Sequence, residues 1–212
     1  MRTVYLDAQG SPVDTTDEYA VLVNDYDADG NTIFEAYYKA DGSVFTKKQG
    51  YCAQRKYYND SKKLIRTEYL DAGGNLVETT DQYAIQTSDY DDENREVFQG
   101  WYTASGSRAS KKDNSSFLTK EYLEDGDISV IRTRYYDSSG SPVAITNGYS
   151  VLEVYNDASG TKVGEAYFDS SLNPVYKTKQ SYVRLTIETR DDGVKVTTYY
   201  NAAGEVVKTE EK

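Results

Sequence analysis

Apolar and polar residues alternate along the chain in short stretches rich in Tyr, Val, Thr and Ile, separated by Asp, Asn, Gly and Ser. No stretch keeps the spacing of three to four residues that an amphipathic helix requires, whereas alternation with a period of two is typical of β-strands. The pattern therefore predicts an all-β protein. Near the start of the chain, it predicts strands at 19–26, 31–38 and 43–47.

Asp-x-x-Gly tetrads stand between many of these stretches, with clear examples at 7–10, 27–30, 71–74, 137–140 and 157–160. An Asp side chain at the first position of a type I turn caps the turn, and a Gly at the fourth position accepts a positive φ. Such turns join antiparallel strands into hairpins with a bulge. We therefore expect tandem β-hairpins.

Aromatic residues recur every 32 residues, with one step of 34. The first track is Tyr5, Tyr37, Tyr69, Trp101, Tyr135, Tyr167 and Tyr199. A second track is Tyr19, Tyr51, Tyr83, Phe117, Tyr149 and Tyr182, and a third is Tyr26, Tyr58, Tyr90, Tyr122 and Tyr155. A glycine follows each first-track residue by five positions, except where Leu172 replaces it. The step of 34 indicates two extra residues within 125–132, where we expect a longer turn.

A period of this length is typical of arrays in which each unit buries its face against its neighbours. With three strands expected in each unit, we predict an elongated solenoid of tandem antiparallel β-hairpin repeats, about six units of 32 residues. The units of this single repeat domain over residues 1–212 are 5–36, 37–68, 69–100, 101–134, 135–166, 167–198 and a partial 199–212. The chain opens and closes inside one motif, so we expect a segment of a longer repeat protein; a complete protein with imperfect caps is the alternative.

Composition indicates which side chains form the core. Val, Ile, Leu and Phe make up only about a fifth of the chain, and the net charge is -11, a combination typical of disordered chains. The 22 tyrosines can replace the missing aliphatic residues, because each ring buries a large apolar body while its hydroxyl stays hydrated. We therefore expect the tyrosine tracks to form an interior ladder.

Several function classes are excluded or disfavoured by the residues present. The chain has no histidine, which excludes Ser-His-Asp and Cys-His relays, and its single Cys52 cannot form an internal disulfide and is expected to be buried. A pI near 4.6 disfavours nucleic acid as a partner, and no apolar run is long enough for membrane insertion. Paired carboxylates remain the one route to catalysis, and only the loop at 111–116 departs from the repeat. We expect no enzyme activity.

Aromatic side chains outside the core could bind sugars by stacking or cations through their π faces. Tyr-Tyr doublets must send neighbouring rings to opposite faces of a strand, so one ring of each doublet is free for a ligand. The candidate ligand-binding residues are Trp101, Tyr102, Tyr38, Tyr58, Tyr136 and Tyr200. For Trp101 the alternative is a place in the core ladder.

One segment is similar to the start of a calcium-binding loop. Asp25, Asp27 and Asp29 alternate before Gly30, as in loops whose carboxylates converge on one cation. The twelfth position, which should carry the closing carboxylate, is Ala36. Calcium is therefore the one candidate cofactor, and a solvated acidic turn is the alternative.

The segments YDADGN at 26–31 and YDSSGS at 136–141 resemble the Y-D-x-x-G core of Rhs/YD repeats, which occur in large bacterial surface and toxin-delivery proteins. The tandem aromatic hairpins also resemble the cell-wall-binding repeats of Gram-positive bacteria, including the choline-binding type. Choline-binding repeats use paired tryptophans, whereas Trp101 is the only tryptophan here. The resemblance therefore implies an extracellular or surface location without implying a ligand.

These observations favour a non-catalytic tandem-repeat module of a bacterial surface or secreted protein, acting as a spacer or as an adhesive interaction surface. The alternative is a module that binds a cell-wall glycan or a choline-type ligand through aromatic grooves. We expect its partner to be a cell-wall polysaccharide or a surface protein.

Overall fold

The Asp-x-x-Gly segments form the predicted turns in the computed structural model, which describes residues 1–212. The N–H of Gly140 donates to the Asp137 carbonyl at 3.1 Å, and the Asp137 N–H donates to the Ser141 carbonyl at 2.9 Å. The Asp137 carboxylate accepts the backbone N–H groups of Ser139 and Ser141. Gly140 has a φ of +88°, and Leu172, which replaces glycine at the equivalent position, has a φ of +66°. The turn is thus kept even where its glycine is lost.

The chain divides into two compact units, Met1–Lys111 and Lys112–Lys212, each built only from β-strands. The first unit contains β1 (Arg2–Val4), β2 (Val21–Tyr26), β3 (Thr32–Tyr38), β4 (Ala53–Tyr58), β5 (Leu64–Leu70), β6 (Ile85–Tyr90) and β7 (Glu96–Tyr102). The second contains β8 (Phe117–Asp125), β9 (Ile128–Tyr136), β10 (Val151–Asn156), β11 (Lys162–Phe168), β12 (Arg184–Thr189), β13 (Lys195–Tyr200) and β14 (Val206–Glu211).

Within each unit, every strand pairs antiparallel with the strands that precede and follow it in the chain. The predictions of an all-β class and of antiparallel hairpins are therefore confirmed. The elongated solenoid and the single domain over residues 1–212 stay predictions. No helix of the kind that could cross a membrane is present.

Each repeat contributes two strands, so the expectation of three strands was wrong. The segment expected as a strand at 43–47 forms only a single bridge, between Val44 and Tyr38. The Phe45 N–H then donates to the Tyr37 carbonyl at 2.9 Å, and the Phe45 ring is buried against the rings of Tyr37 and Tyr51. Burial of Phe45 holds this segment over the face of the sheet, where it cannot extend the ladder of strands.

The two faces of the sheet carry different side chains. We call the ladder face the one that carries the first two aromatic tracks, and the opposite face the one that carries Ala36 and Leu70. On the ladder face of the first unit, the Tyr69 ring lies 4.9 Å from Tyr51 and 5.5 Å from Tyr83, measured between centroids. In the second unit, Tyr167 lies 5.0 Å from Tyr149 and 6.1 Å from Tyr182. An interior ladder of rings is thus present in both units.

Phe117 does not belong to this ladder, although the sequence placed it in the second track. Phe117 pairs with Tyr136 as Ile85 pairs with Tyr102, which puts Phe117 on the opposite face. With the same pairing register, the residue that occupies the second-track position on the ladder face is Ser115, which is fully buried. The sequence misplaced Phe117 because the two extra residues of this repeat follow it in the chain.

Tyr155 is displaced from the third track in the same way. It pairs with Gly164, as Tyr57 pairs with Arg66, and not at the last hairpin position that Tyr58 occupies. Its ring therefore lies on the opposite face, beside Glu153.

The fourth hairpin contains the two extra residues, but in its strands and not in a longer turn. β8 and β9 have nine residues each, and only Gly126 and Asp127 connect them. β9 also pairs with β10 through six residues, from Ser129 to Arg134. The predicted longer turn was therefore wrong, because strand pairing takes up the insertion.

Candidate functional site

Several neighbouring hairpins separate toward their tips, although the fourth and fifth, joined by β9 and β10, do not. β2 and β3 pair through six positions, whereas β3 and β4 pair only through the last three, from Phe34–Arg55 to Ala36–Ala53. β11 and β12 likewise pair only through three positions. The residues of these hairpins nearer the turns therefore have no strand-pairing partner on the next hairpin, and a groove opens between the tips.

One such opening lies between the β2–β3 and β4–β5 hairpins and has a volume of about 640 Å³. We call it the tip groove. Four residues singled out from the sequence line it, namely Asp25, Asp27, Asp29 and Tyr58. The sequence did not single out the other lining residues, among them Phe34, Arg55, Lys56 and Tyr57. Arg55, Lys56 and Tyr57 stand about one repeat after the acidic turn, and this spacing is the signal that could have identified them.

Two of the acidic residues of the tip groove, Asp27 and Asp29, are engaged within the protein. Asp27 accepts the side-chain amide of Asn31 at 2.8 Å and the backbone N–H groups of Asp29 and Asn31. These hydrogen bonds, led by the Asn31 amide, hold the pKa of Asp27 below its usual value. Asp29 forms an ion pair with Lys62 at 2.9 Å. No group of three His, Cys, Asp or Glu side chains is arranged to hold a metal ion. Calcium binding stays a prediction.

Tyr58 links the two hairpins at the outer end of the tip groove. Its hydroxyl donates to the carbonyl of Thr32 on the preceding hairpin at 3.0 Å. The next repeat has the same bond, from the Tyr90 hydroxyl to the Leu64 carbonyl at 3.1 Å. Burial raises the pKa of Tyr58, so its hydroxyl keeps its proton and remains a donor. The third aromatic track therefore links successive hairpins as well as lining the groove.

The other predicted ligand-binding residues are dispersed. Trp101 is buried in the ladder, with the Lys111 ammonium 3.7 Å from its ring centroid. Tyr38, Tyr102, Tyr136 and Tyr200 each end a strand on the opposite face: Tyr38 packs on the cluster around Ala36, Tyr102 lies under Arg108, Tyr136 stacks on Phe117 and Tyr200 lies under Arg184. They do not form one site with the tip groove.

A buried carboxylate lies beside the tip groove on the opposite face. Glu68 accepts hydrogen bonds from Arg66 at 2.8 Å, from Arg55 at 2.9 Å and from the Tyr57 hydroxyl at 3.1 Å. Burial alone would raise the pKa of Glu68, but these donors bring it below its usual value. Glu68 therefore stays ionised and fixes the Arg55 and Tyr57 side chains at the rim of the groove.

The tip groove thus combines aromatic rings with carboxylates and two basic side chains. Carboxylates and amides accept hydrogen bonds from hydroxyl groups, and aromatic faces bind cations and flat rings. These chemistries suit a polyhydroxylated or cationic ligand at the protein surface.

Comparison with protein-family models gives no match for this chain. Comparison with curated proteins gives none either. The resemblance of its turns to Rhs/YD and cell-wall-binding repeats therefore stays a prediction.

Proposed function

We propose that the chain is a non-catalytic tandem-repeat module that acts as a spacer and interaction surface in a bacterial surface or secreted protein. The observation that carries this proposal is a set of backbone hydrogen bonds between the turns of successive repeats. The Thr80 N–H donates to the Gln49 carbonyl at 2.8 Å, and the Thr178 N–H donates to the Asn147 carbonyl at 2.7 Å. Such bonds hold these successive repeats at a fixed spacing, which is what a spacer requires.

The finer architecture of this proposal is an elongated solenoid. Each repeat adds two strands, and neighbouring strands lie roughly 4.8 Å apart. One extra repeat should therefore lengthen the molecule by about 10 Å. A compact arrangement would grow much less, because added volume would be distributed in three dimensions.

Small-angle X-ray scattering tests this expectation. A second copy of residues 37–68 is inserted after residue 68, and the maximum dimension of the variant is compared with that of the original chain. An increase of about 10 Å supports the solenoid. An increase below about half of that value, in a variant that retains β-sheet circular dichroism, overturns it.

A second candidate function is binding of a wall glycan or a choline-type cation, and the tip groove is the observation that favours it. Titration with choline and with wall glycan fragments, followed by the amide resonances of Asn31 and Tyr57, tests this candidate. Asp25→Asn should weaken binding of a cation, while Asp192→Asn, on another hairpin, serves as the control of equal charge change. If neither ligand shifts those resonances, this candidate is wrong.

A further inference from the structure

One position on the opposite face lacks a side chain only in the fifth hairpin. The equivalent residues of β3, β5 and β7 are Phe34, Arg66 and Phe98, whereas β11 has Gly164. A Cβ at Gly164 would lie 2.8 Å from the Leu185 carbonyl oxygen. A glycine is therefore required here by the close approach of β12, and Gly164 adds no side chain to the cavity that it lines.

Two cavities of about 420 and 270 Å³ are both lined by Tyr155 and Arg184, and Gly164 lines the larger one. We call them together the Gly164 groove. Asp125 lies at one end, on the tip of the fourth hairpin, and Pro174 lies at the other. The larger volume is within the range of small-molecule sites.

Arg184 differs from the paired arginines of the chain. Arg55, Arg66 and Arg132 each form an ion pair with a glutamate, whereas no ion pair is formed by Arg184. Its guanidinium instead lies 4.4 Å from the centroid of the Tyr200 ring, which fixes its plane. In a chain of net charge -11, an oriented arginine without a carboxylate partner is available for an anion.

The second lining residue is also held in place. The Tyr155 hydroxyl donates to Glu153 at 2.5 Å, and Glu153 is in turn paired with Arg132 at 2.6 Å. Tyr155 pairs with Gly164 across β10 and β11, so its apolar ring borders the Gly164 groove. The groove thus has a fixed aromatic wall and a fixed guanidinium.

We propose that the Gly164 groove binds a sugar acid, with its carboxylate on Arg184 and its ring against Tyr155. A guanidinium presents a planar fork of donors that matches a carboxylate. Asp125 would accept a ligand hydroxyl and would repel a second carboxylate, so the ligand's carboxylate is directed to the Arg184 end. These contacts select a hydroxylated ring with one carboxylate over a neutral sugar or an aromatic acid.

Titration by NMR tests the proposal, with D-glucuronate as the probe and the amide resonances of Gly164 and Ala166 as the readout. Saturable shifts are expected with glucuronate. Glucose, which lacks the carboxylate, and benzoate, which lacks the hydroxyls, should each bind at least tenfold more weakly. Absence of saturable shifts with glucuronate, or equal affinity for benzoate, overturns the proposal.

Charge variants locate the contact. Arg184→Gln should weaken glucuronate binding at least tenfold, and Arg184→Lys should have an intermediate effect because it keeps the charge and loses the fork. Arg2→Gln, which removes the same charge in the other unit, should leave the affinity unchanged. Arg184 is exposed, so its variants should keep the original unfolding midpoint. An unchanged affinity in folded Arg184→Gln overturns the assignment. The result does not depend on whether the module is a spacer.

Discussion

The two faces of the sheet follow different rules along the chain. On the ladder face, the first-track position holds an aromatic ring in every repeat. One residue earlier, on the opposite face, the side chains differ widely in size and charge: the residues are Val4, Ala36, Glu68, Gly100, Arg134, Ala166 and Thr198. Successive repeats can stack only if the contact between them has the same shape each time. The ladder face forms the core, and its first-track rings are therefore repeated.

Outside the buried cluster around Ala36 and Leu70, the opposite face is free of that requirement, and its differences between repeats are where individual functions can arise. Glu68 organises two arginines beside the tip groove, and Gly164 opens a groove beside an arginine without an ion pair. Repetition thus identifies packing positions, and departures from it identify candidate sites. The comparison predicts that substitutions on the ladder face affect stability most.

Tyr167→Ala should have the largest effect. Tyr167 is 1% exposed and packs between the rings of Tyr149 and Tyr182. Loss of a buried aromatic ring leaves a cavity, so we expect the free energy of unfolding to fall by about 4 kcal/mol. Urea denaturation followed by circular dichroism measures this change.

Tyr57→Ala on the opposite face is the matched control. Tyr57 is 38% exposed and contributes one hydrogen bond to Glu68, so the free energy of unfolding should fall by about 1 kcal/mol. Equal losses in the two variants would contradict the distinction between the faces.

The sequence predicted the core better than the sites for a physical reason. The ladder can be predicted from the period of the aromatic tracks and from the size of their rings, and both can be read from a single sequence. The register in the fourth hairpin does not, because an insertion between two tracks can be placed before or after Phe117 until strand pairing is known. The tip groove depends on how far β3 and β4 pair, and the Gly164 groove on the distance from Gly164 to Leu185. Neither property is visible as a spacing.

Glu68→Gln should have the next largest effect, because it removes the charge that neutralises Arg55 and Arg66. The carboxylate is largely buried, but the two arginine side chains are 46% and 38% exposed, so water can replace part of the interaction. We expect the free energy of unfolding to fall by about 1 to 2 kcal/mol. Chemical denaturation of this variant and of Arg66→Gln measures the effect.

The double variant distinguishes the network from a simple packing role. If Glu68 and Arg66 act together, the losses in the two single variants should sum to more than the loss in the double variant. Additive losses would show that the opposite face carries no coupled network at this place.

Leu172→Gly should raise stability, at a turn that belongs to neither face. A residue with a side chain is strained at a φ of +66°, by roughly 1 to 2 kcal/mol, and glycine relieves this strain at a smaller cost in chain entropy. We expect a net gain of about 0.5 to 1 kcal/mol in the free energy of unfolding.

The reverse change at an equivalent turn is the control for Leu172→Gly. Gly140→Leu should lower stability, because leucine would then have to adopt a φ near +88°. Thermal melting of both variants measures the two shifts. A lower melting temperature for Leu172→Gly would mean that the Leu172 side chain makes a compensating contact.

Each turn carboxylate should contribute the least to the free energy of unfolding, and that contribution should depend on pH. Hydrogen bonds from Ser139 and from the Ser141 backbone lower the pKa of Asp137, and hydrogen bonds from Asn75 lower that of Asp71. A carboxyl whose pKa is lower in the folded state stabilises the fold above its unfolded pKa, which is about 3.9. That stabilisation should disappear as the pH falls below about 4 toward the folded pKa.

Urea midpoints measured between pH 6 and pH 3 test this dependence. Asn201 already replaces aspartate at an equivalent turn, where its side-chain oxygen accepts the backbone N–H groups of Ala203 and Glu205 at 3.0 and 2.9 Å. Asp71→Asn combined with Asp137→Asn should therefore keep both turns and reduce the loss of stability in acid. An unchanged acid dependence in this double variant would assign that loss to carboxylates on the faces of the sheet, of which Glu68 is the first to test.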